Sequence, residues 1–538
     1  MTEHPSDAPG AGGLEVPAET GEEAPPDDAV QENLLDRLLY KGILPRYAFP
    51  TDVATFYVFD QNKSSYRPAF RYAPSQGLPI ALSQYAPGKE VWIANKRYTS
   101  GAIYSPIKGD RVQAWHSKRL YYECKRCHYA CTKNLQEGHK GERLDCPACG
   151  EGSAFGEAKY WFRPPGFAHP VYIEEGTSPD DEPARSYATR AKLDAPTPGP
   201  GDTSWVSVSG GARVFYFREH LLVTNTGPRS EGYNYCTICG VIEPTARSAG
   251  VLGRPHPKPY PDTRNPVCKS GGTTTGICLG TDFITDVLLV SLGVSPPLSV
   301  MPGLLATDIA LRTACEALAK AACQLFELET NEIQAEYRAA MTPAGRDGLE
   351  AELYLYDTLP GGAGFSRRVG EHSLEVFRVA IALLEGCDCE LSCYKCLRSY
   401  KNKLEHARLD RHVGGDLMRY VLDDTTPELP SARLKSAMQM LAQDLQRQAG
   451  TVLRVSVDAS LKVPGIGDAR VPIHVVHQDG RERVVAVTHP LTPRSSTDKS
   501  VASLSEYTSV PVLLLPELQV RKNLPSATRA VLSSLGLA

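Results

Sequence analysis

Residues 124–150 read CKRCHYACTKNLQEGHKGERLDCPACG, with Cys124 and Cys127 opening the stretch and Cys146 and Cys149 near its close. Two cysteines separated by two residues can place both sulfurs on one metal at ~2.3 Å while the backbone bends around it, and two such knuckles complete a tetrahedral four-thiolate site. The 18 residues between Cys127 and Cys146 fall in the ~15–20 of a zinc ribbon. Pro147 and Gly150 supply turn formers where the second knuckle needs them. The stretch therefore predicts a ribbon over 115–165 with structural zinc on Cys124, Cys127, Cys146 and Cys149, and it leaves His128 and Cys131 spare. Four closed cysteine ligands offer no open coordination position, which argues against hydrolytic chemistry at this metal.

Two further cysteine sets lie outward from the ribbon. Cys387, Cys389, Cys393 and Cys396 put four thiols into ten residues, a density that one metal accommodates and disulfides do not. Zinc is favoured there and an iron–sulfur cluster is the rival, since four cysteines also ligate iron. The middle set pairs Cys236 and Cys239 with Cys268 and Cys278, or with His256 in place of one of the latter two. It makes a third zinc site an open expectation. Cys315 and Cys323 fall inside a helical pattern and read as small core residues.

The bulk numbers suit a globular chain. At 538 residues, three to four domains are expected at ~100–200 residues each. Net charge is −4, and the first thirty residues hold eight Asp/Glu and no Lys or Arg, so the remainder is about +4 and any basic surface is local. No apolar run approaches the ~18–20 residues that span a bilayer. The N-terminus lacks the basic and apolar regions of a signal peptide. The expectation is a cytoplasmic chain with no membrane partner, whose thiols stay reduced and serve as ligands.

Patterning predicts a mixed scaffold: α+β, multidomain, with zinc ribbon and four-cysteine knuckle modules on a mixed α/β framework and a small C-terminal α/β domain. The divisions are a disordered acidic tail over 1–30, an N-terminal α+β region over 31–114 with a helix from Glu32, and the ribbon over 115–165. A linker or surface loop follows over 166–202, then a zinc-binding accessory domain over 203–424 and the C-terminal domain over 425–538. Within the accessory domain DFITDVLLV (282–290) predicts a buried strand, and ATDIALRTACEALAKAACQLFELE (306–329) the clearest helix. LEAELYLYD predicts a strand running into the turn Gly361-Gly362-Ala363-Gly364.

That turn, preceded by Tyr356-Asp357-Thr358-Leu359-Pro360 and followed by CDCELSCYKCLRSYKNKLEHARLDR (387–411), resembles the cysteine domain at the C-terminus of MrfA-type superfamily 2 helicases. Leu279–Leu288 resembles a strand signature of the same family, and Gly42–Pro50 the segment preceding it. The resemblance covers about 34–412 and implies zinc on Cys387, Cys389, Cys393 and Cys396. The family's two ATPase domains have no counterpart: no GxxxxGK[ST] occurs, Gly88-Lys89 lacking the glycine and the hydroxyl it would need, and no DExH box occurs. The arrangement is similar to the DrmB family of stand-alone accessory proteins in the bacterial DISARM anti-phage defence system. This implies a separate helicase partner, DrmA-like, and DNA engaged through the complex.

Other chemistry is weaker. The glycine turn could offer amides to a phosphate, though a tight strand-to-helix connection explains it better. Lys395–Arg411 holds six Lys/Arg against two Asp/Glu with Tyr394 and Tyr400 interleaved. Lys395, Arg398, Tyr400, Lys401, Lys403 and Arg408 are candidate nucleic-acid contacts; the alternatives are a solvated face beside the knuckle and local pairing, for instance of Asp410 with Arg411. The C-terminal domain invites comparison with a metal-dependent nuclease through Asp458. No D…ExK set follows it, His474 and His477 have no visible partners, and the strand ends at Thr488-His489-Pro490. The reading is a non-catalytic accessory subunit for a helicase, the alternatives being a nuclease or a pure protein–protein scaffold.

Overall fold

The computed structural model describes residues 52–60, 68–107, 109–176, 190–198, 201–245, 251–330, 332–338, 349–399, 402–463, 467–493 and 510–537. The acidic tail, the helix expected from Glu32 and the segment 42–50 lie outside these. The architecture is a mixed α/β assembly of several sheets.

Val53–Phe59 (β1) buries Ala54, Phe56 and Val58 at alternate positions, as a strand with one face on a core does. It pairs in parallel with Phe167–Ala168, so the stretch expected as linker or surface loop begins inside a sheet. Lys192–Leu193, near the end of that stretch, is also a paired strand.

Arg119–Glu123 (β2), Ala130–Lys133 (β3) and Lys159–Phe162 (β4) belong to the ribbon. Ala212–Asn225 (β5) and the 22-residue strand Thr273–Val294 (β6) come next. Leu305–Leu325 (α1), Ile333–Arg338 (β7), Leu349–Asp357 (β8), Ser373–Glu385 (α2) and Arg411–Asp423 (α3) complete this part.

β6 is the spine. It pairs antiparallel with β5 from Asn225↔Leu279 to Ala212↔Leu292 without a break. Its other partners are taken in turn along its length: Tyr233–Cys236 at its start, β4 in parallel at Trp161↔Cys278, and β8 from Val287↔Tyr356 to Val294↔Leu349. The ribbon and the glycine-turn region thus share one hydrogen-bonded sheet. Only residues 282–290 of this strand are evident from sequence. Its first third is rich in Thr and Gly, and Gly280 is required by packing: a Cβ there would collide with the Trp161 ring.

The apolar run at 287–292 is buried on both faces, which is why it does not alternate. Leu288, Val290 and Leu292 pack into a core with α1, α2 and α3, while Val287 and Leu289 join Phe56, Phe162, Tyr354 and Tyr356 in a second core. α1 is covered nearly all round; Cys315 is fully buried and Cys323 is 6% exposed, both as core residues. Each fully buried leucine here, such as Leu311 or Leu318, contributes about 1.5–3 kcal/mol.

Ser431–Ala449 (α4), Leu453–Val463 (β9), Gly467–His477 (β10), Glu482–Thr488 (β11), Val512–Pro516 (β12) and Leu524–Ser534 (α5) form the C-terminal part. The sheet order is β9-β10-β11-β12 with only the last pair parallel, and α4 and α5 share its core. This part is tied to α3 by Arg521–Asp410 at 2.6 Å and His489–Asp416 at 2.9 Å.

Candidate metal centres

Each CxxC pair sits at a chain reversal closed by a hydrogen bond from the residue after the second cysteine to the carbonyl of the first. His128 N–H donates to Cys124 O at 3.1 Å, Gly150 to Cys146 at 2.9 Å, Gly240 to Cys236 at 2.8 Å and Leu397 to Cys393 at 3.0 Å. At the first three the closing residue has positive φ: +62° at His128, +69° at Gly150 and +89° at Gly240. Glycine reaches that conformation without the Cβ penalty, which explains CPACG and CTICG. Gly240 has a second constraint, because a Cβ there would collide with the Ile103 carbonyl oxygen.

The ribbon follows from two hairpins. The first knuckle joins β2 to β3, with Tyr122 opposite Cys131, and the second joins Arg143–Leu144 to Phe155–Gly156. Phe155 stacks on the rings of both Tyr122 and Tyr129, at centroid distances of 5.4 and 5.5 Å, and these rings share one buried cluster with the four thiols. Cys131 stays outside the set, and burial pushes its thiol up to about 12.

Three groups, among the described residues, bring four ligand atoms to within 4.8 Å of one another: Cys124, Cys127, Cys146 and Cys149; Cys236, Cys239, His256 and Cys268; and Cys387, Cys389, Cys393 and Cys396. A tetrahedron with ~2.3 Å metal–sulfur bonds has sulfur–sulfur edges of about 3.8 Å. The structure has Cys124–Cys149 at 3.7 Å, Cys127–Cys146 at 3.6 Å, Cys236–Cys268 at 3.8 Å, Cys387–Cys393 at 3.5 Å and Cys389–Cys396 at 3.6 Å. These separations are far beyond the ~2.05 Å of a disulfide. Backbone amides also face the sulfurs, as Cys127 N–H does Cys124 Sγ at 3.4 Å and Cys393 N–H does Cys396 Sγ at 3.2 Å. Hydrogen bonds, from a neighbouring thiol in two sets and from a backbone amide in the third, draw one thiol in each set toward thiolate. Cys124 is lowered to about 2 chiefly by Cys127, Cys236 to about 4 chiefly by Cys239, and Cys393 to about 6 chiefly by the backbone amide of Cys396.

The middle centre takes the histidine alternative rather than the four-thiol one. Cys278 does not join it: it sits in β6 opposite Trp161, fully buried against Tyr121 and Ala130. His256 takes its place, pairing with Cys268 across a two-stranded ribbon and bringing Nε2 to 3.2 Å from Cys239 Sγ. Its Nδ1 lies 2.8 Å from the Arg254 carbonyl, an acceptor that keeps the proton on Nδ1 and turns the Nε2 lone pair to the thiols. The sequence signal was His256 itself, since a three-cysteine-plus-histidine set is an ordinary zinc site.

The basic stretch after the third set is used internally only in part. Tyr400 and Lys401 lie outside the described residues. Lys395, Lys403 and Arg408 are exposed, while the Arg398 guanidinium donates to Ser392 Oγ at 3.0 Å. Asp410 and Arg411 do not pair with each other. Asp410 caps α3 and holds Arg521, whereas Arg411 donates to the carbonyls of Cys389 and Leu384 at 2.7 and 3.0 Å, bracing the cysteine loop. Glu405 meets Arg190 at 2.9 Å and Arg312 at 3.2 Å; burial raises its pKa against the pull of those two cations. Tyr394, at the tip of the last knuckle, is 66% exposed.

The amides of the glycine turn are taken. Asp357 accepts from the N–H groups of Ala363, Phe365 and Ser366 at 2.7, 3.0 and 2.8 Å, and Asp286 from Gly364 at 3.0 Å. Two carboxylates fill the positions a phosphate would need. In the C-terminal part, His474 meets Glu482 at 2.8 Å, His477 meets Asp479 at 2.6 Å and His489 reaches Asp416 across the boundary. None of the three metal-competent groups among the described residues lies there.

Residues 314–397 match the MrfA Zn-binding domain family, which takes in the third cysteine set up to Cys396. Together with the three tetrads, the match makes zinc the cofactor of this chain. The chain is also similar to the Druantia protein DruE of Escherichia coli (strain UMEA 4076-1), with 30% identity over 424 residues, or 74% of this chain and 22% of that protein. It thus spans about a fifth of that relative's length. Among solved structures, the DUF1998 helicase MrfA bound to DNA overlaps 65% of this chain and 32% of its own at 10% identity and a TM-score of 0.30. MrfA without DNA gives 66%, 34%, 11% and 0.24. Scores this low bear no weight on the fold. Among the described residues, no helix is long and apolar enough to cross a membrane.

Proposed function

We propose that this chain is a non-catalytic, zinc-stabilised accessory subunit that binds a separate superfamily 2 helicase and helps it engage DNA in bacterial anti-phage defence. The observation that carries the reading is the MrfA Zn-binding domain match at 314–397 in a sequence with no GxxxxGK[ST] and no DExH box. The tetrads support a structural role for the metal: each offers four protein ligands, which fills a tetrahedral shell and leaves no position for substrate. Similarity to DruE over 424 residues favours a defence setting, and the DrmA-like identity of the partner rests on the sequence resemblance to the DISARM accessory proteins alone.

The test is co-expression with a DrmA-like superfamily 2 helicase, followed by affinity capture and ATPase assay of each component. The chain should co-purify with the helicase and show no ATP turnover alone, and the complex should hydrolyse ATP in a DNA-dependent way. Turnover by the isolated chain that a point substitution abolishes would refute the proposal. Cleavage of DNA with Mg²⁺ or Mn²⁺, lost on deleting 425–538, would instead establish the nuclease alternative.

A further inference from the structure

A cleft of about 750 Å³ opens between the ribbon and the turn that follows β5. One wall comes from the ribbon (Lys125, Lys140 and Lys159 among its residues), and the other from Thr226–Glu231 with the first residues of β6. The turn holds Arg229 and Ser230 at φ +54° and +59° between Gly227 at +75° and Gly232 at +83°. Non-glycine residues rarely adopt that region, and such strain persists where the surroundings impose it, often at functional sites. Here it places the exposed Arg229 among the residues lining the cleft, together with the exposed Lys125. Lys140 and Lys159 are fixed across the gap by hydrogen bonds to the carbonyls of Thr275 and Ser230.

The acids on the walls are mostly engaged. Glu123 is held by Lys192 and by the Tyr121 hydroxyl, and Glu157 by Arg143. Glu231 stands exposed at the rim. The four basic groups thus face a cleft whose carboxylates are largely neutralised by partners outside it, which suits a run of phosphodiesters.

We infer that this cleft is a nucleic-acid backbone site, a track for the phosphodiesters of a DNA strand, separate from the basic stretch at 395–408. The inference rests on the accessory reading above and deepens it by naming where the DNA lies. Backbone binding through lysine and arginine carries no sequence preference and weakens steeply with salt.

The experiment is fluorescence anisotropy with a single-stranded deoxyoligonucleotide across a salt series, on the full zinc-loaded chain and on its complex with the helicase. Lys125→Gln with Arg229→Gln should weaken binding about tenfold and reduce the salt slope by about 1.4, at ~0.7 for each phosphate no longer neutralised. Lys435→Gln, a single charge removed on α4, should change neither. Glu231→Gln should tighten binding by about twofold to fivefold, a gain that misfolding cannot produce. An unchanged slope in the double variant, or no gain from Glu231→Gln, overturns the cleft and leaves DNA engagement elsewhere on the chain standing. Absence of binding by the wild-type chain, both alone and in the complex, overturns the cleft and the DNA part of the accessory reading together.

Discussion

Replacing His256 with alanine removes one of four ligand atoms from the middle centre and leaves Cys236, Cys239 and Cys268. The imidazole is 3% exposed and already oriented by the Arg254 carbonyl, so the native site binds with little reorganisation. Losing even a group that orients a ligand costs 10–100-fold in metal affinity. Losing the ligand should therefore cost at least ~100-fold, or about 2.8 kcal/mol at 1.4 kcal/mol per tenfold. A structural zinc site is worth about 10–16 kcal/mol in apparent binding, so the weakened site still fills in excess metal but empties to a chelator. The assay is zinc content by mass spectrometry after a timed chelator challenge. Wild type should retain three zinc ions per chain and His256→Ala two. Cys278→Ser and Cys131→Ser should each retain three, since neither thiol belongs to a tetrad. Loss of one zinc from Cys278→Ser, or three chelator-resistant ions in His256→Ala, would refute the assignment.

Other expectations are as direct. Gly240→Ala must adopt φ near +89° and meet the Ile103 carbonyl, so it should lower stability by about 3 kcal/mol in denaturant unfolding; Gly150→Ala, with open space around it, should cost about 1–2 kcal/mol. Arg521→Met leaves the buried Asp410 carboxylate with only its capping amides, and should cost about 3 kcal/mol and speed proteolytic release of the C-terminal part; adding Asp410→Asn should restore part of the loss. Asp194 is raised by burial to about 6, above its ordinary 3.8, so the folded chain binds more protons than the unfolded one between those values. Its charge then opposes folding above pH 6, stability from this group rises as pH falls through 6 toward 4, and Asp194→Asn should raise the melting temperature at pH 7 and flatten that dependence.

The metal chemistry was the most legible layer because ligand spacing is local. A CxxC knuckle is four residues long, and its glycine or histidine closure can be read beside it. The middle centre was only half legible, because His256 meets Cys268 through a strand pairing that spacing does not encode. Cys278 looked like a ligand for want of any sign that Trp161 would claim its place in the sheet. The helix at 305–325 and the C-terminal strands followed from apolar periodicity. The start of the spine was hidden by threonine and glycine, which score as loop until their partners are known. Charge misled at Asp410 and Arg411, where a run that reads as surface turns inward, one residue capping a helix and the other bracing a metal loop.

The 22-residue spine also sets an order of events during synthesis. Residues 273–294 find partners on both sides in sequence, from Trp161 and the 212–225 strand before them to Leu349–Asp357 after them. Until the ribosome has delivered residue 357, the apolar run at 287–292 lacks its last neighbouring strand and stands as an open edge, the kind of surface that joins nascent chains to one another. The ribbon completes its ligand set at Cys149, about two hundred residues earlier. Zinc supply at that moment would decide whether a folded platform is waiting for the spine, so production in zinc-poor medium should end in aggregate rather than in a soluble chain that merely lacks metal.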